Sequence, residues 1–313
     1  MAATYLARAI FLVCLGSALA TPVIATAQGN KPGPPKLFVQ NLGSNMATQL
    51  IEKTEFDGQG TPVWSPDGKQ IGFDAWRASA GKDYGDAHVF VVNIDGSGLK
   101  DLGDGAMPSF SADVKRIAFS RYSPNRGVWI MNADGTNKEL IDRSGWSARW
   151  SPDGKSIAYT KHVNGGPHFV IYDVKTKKQR ATIATAADLG YRTIYWSFCW
   201  SPDSKRLCFK GGRANNKYDV AIVNIDGGER ALKVLYTGKT GNGFSWHPAK
   251  KQILFDTVDP MRKRAQLFTV STDVKGPPNA VPGQPAHRIN TGGAWSPDGK
   301  RIVFTSRIRP KAK

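Results

Sequence analysis

One decapeptide pattern, an aromatic residue, a turn and a short apolar strand, returns six times at intervals of about 40 to 50 residues, the range of propeller and solenoid repeats. The copies run from Trp64 to Phe73, Phe110 to Phe119, Trp150 to Tyr159, Trp200 to Phe209, Trp246 to Phe255 and Trp295 to Phe304. In the first, third and sixth the turn is Ser-Pro-Asp-Gly, followed by Lys and an Ile-x-aromatic strand. Proline presets φ at the second turn position, Asp suits the third, and Gly accepts the left-handed conformation that sends the chain back antiparallel. Val114 and Lys250 stand where Gly would be, so the second and fifth copies should use another turn or carry strain.

Each copy continues with a loop of variable length and a third strand, such as Val89 to Asn93, Val128 to Asn132, Phe169 to Asp173 or Val220 to Asn224. Asp-Gly turns at Asp95, Asp134 and Asp226 then lead into a fourth, more polar strand. Four antiparallel strands make one blade. Within the second strands, Ile and the aromatic project to one face while Gly72, Ala118, Ala158, Cys208, Leu254 and Val303 project to the other. Both faces are apolar and must be covered, which stacking each sheet between its neighbours achieves. The six repeat aromatics are accordingly packing elements rather than a platform for nucleic-acid bases, and no specific nucleic-acid binding is expected.

The sixth copy lacks its third and fourth strands, because only Thr305 to Lys313 follow Phe304. The missing pair lies at the other end of the sequence. Leu37 to Asn41 matches the third-strand pattern and Thr48 to Ile51 can supply the fourth. The expected fold is therefore all-β, a six-bladed propeller of four-stranded blades whose ring is closed when the N-terminal strands complete the last blade. The 33 Gly and 19 Pro suit a fold so rich in turns.

The repeated Trp-Ser-Pro-Asp-Gly-Lys-x-Ile-x-Phe with downstream Asp-Gly resembles the TolB-type propeller repeat (PD40, WD40-like), over about residues 36 to 306. The resemblance implies a six-bladed propeller and, in that family, service to protein partners of the bacterial cell envelope, among them a peptidoglycan-associated lipoprotein. It also implies an α/β domain ahead of the propeller. That domain is not seen here, where only Gln28 to Pro35 separate the first strand from an N-terminal leader. Related propellers include lyases and peptidase-fused domains.

The leader has its own signature. Met1 to Ala9 carry one Arg and no acid, Ile10 to Ala20 are apolar, and Ala25-Thr26-Ala27 is a small-x-small cleavage site. The apolar core falls short of the roughly 18 residues that suggest a membrane span. The organisation read from sequence is a cleaved secretory signal at 1–27, a Gly/Pro linker at 28–35, the propeller at 36–306 and a basic tail at 307–313. A periplasmic or secreted protein without a transmembrane segment is expected. Cys199 and Cys208 then meet an oxidising compartment. They face each other across a hairpin if its turn is symmetric, but a direct cross-strand bridge is strained, and two buried thiols are favoured.

In a propeller the turns between strands one and two and between three and four share one face, and the remaining connections share the other. Here the first face has short uniform turns while the second has loops of unequal length, where binding on a rigid scaffold concentrates. Its candidates are Trp76, Arg77, Tyr84, Arg121, Arg126, Arg149 and the triplet Arg262, Lys263, Arg264. The segment Tyr191, Arg192, Tyr195 and Trp196 brings aromatics toward the channel mouth, either to hold a ligand or to fill the gap between blades. A net charge of +18 attracts anions. An envelope or extracellular protein, or an acidic polysaccharide, fits that sign, and so does an ordinary solvated basic surface.

Signs of catalysis are few. The chain carries no His-Glu-x-x-His helix, phosphate-binding loop or paired Cys-x-x-Cys, and Gly145-Trp-Ser-Ala-Arg149 fails as a nucleophile elbow at its last position. No cofactor is expected. His162 and His168, close in sequence, are weak candidates for a metal pair. They would serve the alternative reading of a metal-dependent polysaccharide lyase or hydrolase with its site in the channel; the leading reading is a non-catalytic binding or scaffold propeller.

Overall fold

The computed structural model describes residues 32–308 apart from 45, 53, 164–165, 181–184 and 226–231. The leader, the first half of the linker, residues 309–313 and the Asp226 turn lie outside the described residues. Among the described residues twenty-four strands form six four-stranded antiparallel sheets. Blade one comprises Gly58–Trp64, Gln70–Trp76, His88–Asn93 and Lys100–Asp104. Blades two to five repeat this order within 106–142, 145–180, 193–238 and 240–280. Blade six takes Arg288–Trp295 and Arg301–Ile308 from the C-terminal side and Lys36–Asn41 and Met46–Gln49 from the N-terminal side.

Closure is a six-residue antiparallel ladder from Lys36 opposite Ser306 to Asn41 opposite Arg301. It buries Leu37 completely and stacks Phe38 on Phe304 at 6.0 Å. Two boundaries move from their sequence positions. The fourth strand of blade six is Met46–Gln49, not Thr48 to Ile51, and its second strand runs through Arg307 and Ile308, which the sequence reading gave to the tail.

The turn chemistry is the same in five copies. Ser65 Oγ donates to Asp67 Oδ1 at 2.6 Å, the Lys69 amide donates to the same oxygen at 3.1 Å, and the Gln70 amide donates back to Ser65 Oγ at 2.9 Å. Ser111 with Asp113, Ser151 with Asp153, Ser201 with Asp203 and Ser296 with Asp298 repeat this arrangement. Gly68, Gly154 and Gly299 take the left-handed position at φ 71°, 70° and 67°. Val114 occupies it too, at φ 61°, at a cost of about 1–2 kcal/mol for an L-residue. The fifth copy abandons the Ser-Asp device: His247 Nδ1 accepts from the Ala249 and Lys250 amides at 3.1 and 2.9 Å.

The hydrophobic core is divided among the seams between blades. Ile71, Phe73 and Trp64 of blade one pack with Leu37 and Val303 of blade six, and Cys208 and Val220 of blade four pack with Trp246 and Phe255 of blade five. The repeat tryptophans latch these seams. Trp64 Nε1 donates to Ala294 O of blade six and Trp200 Nε1 to Arg149 O of blade three. Arg301, Arg116 and Arg206 lie over Trp64, Trp150 and Trp246 of the following blade at 4.9, 4.9 and 5.0 Å. Cys199 and Cys208 are directly paired across their hairpin and are both free thiols; burial raises the Cys208 thiol.

Because closure rests on the N-terminal ladder, Leu37→Ala should lower the unfolding free energy by about 2–4 kcal/mol. Deleting 36–49 should cost more and cause self-association through the bared Arg301–Ile308 edge. Urea unfolding and light scattering read both outcomes; a deletion variant as stable and monodisperse as the parent would contradict closure.

Candidate functional site

The first strand of every blade lines a central channel of about 1030 Å³. Each of these six strands is interrupted by a register shift, between Gly60 and Val63, Ala106 and Ser109, Trp146 and Arg149, Ile194 and Phe198, Thr240 and Phe244, and Thr291 and Ala294. A bulge removes backbone groups from the ladder, and buried groups need other partners. Those partners come from one repeat position, the residue after the strand aromatic: Asp74, Ser120, Thr160, Lys210, Asp256 and Thr305.

Asp74 accepts from the Met107 amide of blade two at 2.9 Å, Ser120 Oγ from the Ser147 amide of blade three at 2.8 Å, and Asp256 from the Gly292 amide of blade six at 3.1 Å. Lys210 Nζ donates to Thr240 O of blade five at 2.9 Å. Thr160 and Thr305 hold their own blades' inner strands through Trp146 O and Thr291 O. Six different side-chain contacts thus meet one backbone requirement. At the closest seam a Cβ on Gly243 would lie 2.4 Å from Gly292 Cα, so glycine is required there.

Four of these and neighbouring groups are charged and enclosed. Burial raises the Asp74 carboxyl against the pull of Thr61, Met107 and Arg149, and raises Asp256 to about 6. Burial lowers Arg149 to about 10, which leaves it protonated at neutral pH; its Nη1 donates to the carbonyls of Met107 and Pro108, both at 3.1 Å. Lys210, also lowered by burial, lies 4.4 and 4.3 Å from the ring centres of Tyr195 and Tyr218.

At the variable-loop end the channel is walled by aromatics. Trp76 lies 4.3 Å from Tyr84, Tyr122 lies 4.7 Å from Trp146, and half-buried Trp196 packs into the same cluster. Burial, with the nearby Asp74 charge, raises Tyr84 and brings Tyr122 up to about 12.

Of the residues singled out by sequence, Trp76, Tyr84, Arg149 and Trp196 meet in this channel. The others do not. Arg77 pairs with Asp86 at 2.8 Å and covers Phe56, Arg121 pairs with Asp104 at 3.0 Å, and Arg262 pairs with Asp259 at 2.6 Å. Arg126, Arg192 and Lys263 are exposed, and Arg264 Nε donates to Arg262 O. Tyr191 is a core residue, buried against Phe209 with its hydroxyl on Asp219 at 3.0 Å, so it fills the seam rather than the mouth. Tyr195 is committed to Lys210.

His162 and His168, close in sequence, do not form the metal pair for which they were candidates. They lie on paired strands, His162 opposite Pro167 and His168 opposite Lys161. Adjacent ladder positions point to opposite faces of a sheet, so the two rings diverge. Among the described residues no group of three or more His, Cys, Asp or Glu could hold a metal ion. Asp74, Tyr122, Trp146 and Asp256 were missed by sequence; for the two acids the signal was a polar residue recurring directly after each strand aromatic.

The Asp256 carboxyl is higher in the fold than its ordinary 3.8, so folding favours its protonated form. That contribution is complete below about pH 4 and is lost as pH rises through about 6. Relative to Asp256→Asn, the parent should therefore lose up to about 3 kcal/mol of stability between pH 4 and pH 7. Urea titrations at several pH values check this; parallel curves would refute it.

No protein-family model matches the chain. It is 24% identical over 194 residues to the Tol-Pal system protein TolB of Francisella tularensis subsp. mediasiatica, covering 60% of this chain and 42% of that one. It is 26% identical over 321 residues to Dipeptidyl-peptidase 5 of Porphyromonas gingivalis, covering 94% of this chain and 42% of the relative. The chain thus spans less than half the length of these curated relatives. Among solved structures, a putative TolB from Agrobacterium tumefaciens superposes with a TM-score of 0.65 at 16% identity, covering 88% of this chain and 99% of that one. TolB from Acinetobacter baumannii gives 0.61 at 16% identity, over 88% and 64% of the two chains.

Proposed function

Because the chain is a TolB-like six-bladed propeller, we propose that it is an exported, non-catalytic binding protein of the cell envelope that receives a protein segment at the aromatic end of its channel. The observation that carries this reading is the cluster of Trp76, Tyr84, Tyr122, Trp146 and Trp196, contributed by four blades to one mouth on the variable-loop face. Aromatic side chains present large apolar area with polar edges and lose little rotamer entropy when covered. The closed ring adds preorganisation, because a mouth held by six blades orders few residues on binding. Export is supported by the leader-like residues 1–27, and no helix among the described residues is long and apolar enough to cross a membrane.

The basic loops play the lesser part. Three of their arginines already face carboxylates, so Lys263, Arg264, Arg126 and Arg192 supply orientation and encounter rate more than affinity. Cleavage of an acidic polysaccharide, the alternative from sequence, has no ligand set in the divergent His162 and His168.

Capture from envelope extract on the immobilised protein, quantified by mass spectrometry, tests the reading. The double change Trp146→Ala and Trp196→Ala should reduce retention of the captured protein at least about tenfold, as expected for aromatic anchors worth about 2 kcal/mol. Changing Arg262, Lys263 and Arg264 together to Ala should reduce it only about threefold and mainly at low salt. Retention that ignores the tryptophans and follows the basic triplet would overturn the assignment of the mouth.

A further inference from the structure

Asp74 is 2% exposed and lines the channel, yet half of its carboxylate is unused. Oδ2 accepts from Thr61 Oγ1 at 2.7 Å and from the Met107 amide at 2.9 Å, whereas Oδ1 has no hydrogen-bond partner. Among the described residues Asp74 enters no ion pair within 4 Å. A buried carboxylate oxygen without a protein donor is costly and calls for a compensating charge or donor nearby. Trp76 stands two residues further along the same strand and therefore on the same face. Its ring meets Tyr84, the Tyr122 and Trp146 pair lies across the same cluster, and the Asp74 charge is felt at both tyrosine hydroxyls.

The propeller shows what such a combination accepts. In blade four the position equivalent to Asp74 is Lys210, whose ammonium lies 4.4 and 4.3 Å from two tyrosine rings and donates to Thr240 O. There the aromatic pocket is filled by a cation of the protein's own. On the side of blades one to three the rings and a carboxylate are present, and among the described residues no cation lies over Trp76, Tyr84, Tyr122 or Trp146 or within 4 Å of Asp74. We propose that the aromatic mouth binds an alkylammonium group, with the rings of Trp76, Tyr84, Tyr122 and Trp146 around the cation and Asp74 as its counter-charge.

Two attractions act together. Ring quadrupoles favour a cation over a neutral group of equal shape, and the effect strengthens on desolvation. Asp74 adds negative potential to the site, as it already does at the Tyr84 and Tyr122 hydroxyls. Arg149 does not fill this role, since its Nη1 is held by backbone carbonyls and its charge pulls against, without reversing, the burial that raises the Asp74 carboxyl. Arg307 also lines the channel, but it is exposed, where salt screens its repulsion over about 8 Å. Asp83, beside Tyr84, partly offsets it.

Calorimetric titration of the full chain with choline, with cadaverine and with a short peptide bearing one lysine side chain tests the proposal, whatever macromolecule the mouth captures. At least one should saturate a single site with a Kd of about 1 mM or tighter. Choline or cadaverine binding identifies a free amine as the source; binding of the lysine peptide alone identifies a partner's side chain. The neutral choline isostere 3,3-dimethylbutan-1-ol should bind at least about tenfold more weakly. Asp74→Asn should weaken the cation by about the same factor and leave the isostere unchanged, and Tyr122→Leu provides a second variant should the first fail to fold. Equal binding of the isostere, binding of glutarate in place of the amines, or no saturation by any amine would overturn the proposal.

Discussion

The ladder between residues 36–41 and 301–306 joins the two extremes of the described chain, and every other seam depends on it. Without it blade six is a two-stranded sheet with its apolar face bare, and blade one loses the wall against which Ile71 and Phe73 pack. The entropic cost of joining positions so far apart is modest, since it rises only with the logarithm of the separation. Burial of Leu37, Phe38 and Phe304 on two sides of one sheet works against it. The remaining seams are local, each formed between sheets adjacent in sequence, so their assembly needs no further long closure.

Stability and channel chemistry are linked through the inner-strand bulges. Each bulge turns backbone groups away from the ladder and toward a side chain on a second strand, in four blades across a seam. Residues with positive φ sit at several of these points, Thr61, Met107, Ser147 and Gly292 among them. Strain at an inner strand is tolerated where the surrounding contacts overdetermine it. The groups that project into the channel are consequently the same ones that pin the blades together, and removing one should disturb shape and chemistry at once.

The blade pattern was legible because the strands obey a period of two and the Ser-Pro-Asp-Gly turn has few alternatives. Ring closure followed from counting strands in the sixth copy. The candidate site was legible only in part. Trp76, Tyr84, Arg149 and Trp196 were named because they are aromatic or basic near loop-bearing ends, yet the same rule picked out Tyr191, which packs inward onto Phe209. Arg77, Arg121 and Arg262 looked free in sequence because their acidic partners are set by the path of the backbone: Asp86 returns through the loop after strand two, Asp104 reaches Arg121 across the seam between blades one and two, and Asp259 meets Arg262 within one tight turn. The His162 and His168 pair failed for a related reason: closeness along the chain says nothing of which face of a sheet a ring takes. Asp74 and Asp256 went unremarked because an acid inside an apolar strand has meaning only once six copies are aligned on the residue after the aromatic.

That alignment has a consequence for how such a molecule can diversify. Aspartate, serine, threonine and lysine all occupy the same seat in successive blades, and the backbone beneath them keeps one geometry. The seats act as interchangeable sockets around an axle: the occupant of each can be exchanged for another hydrogen-bonding group while the wheel stays round. A lineage of these proteins could therefore retune the polarity of its axial passage blade by blade, reaching new ligands without inventing a new scaffold.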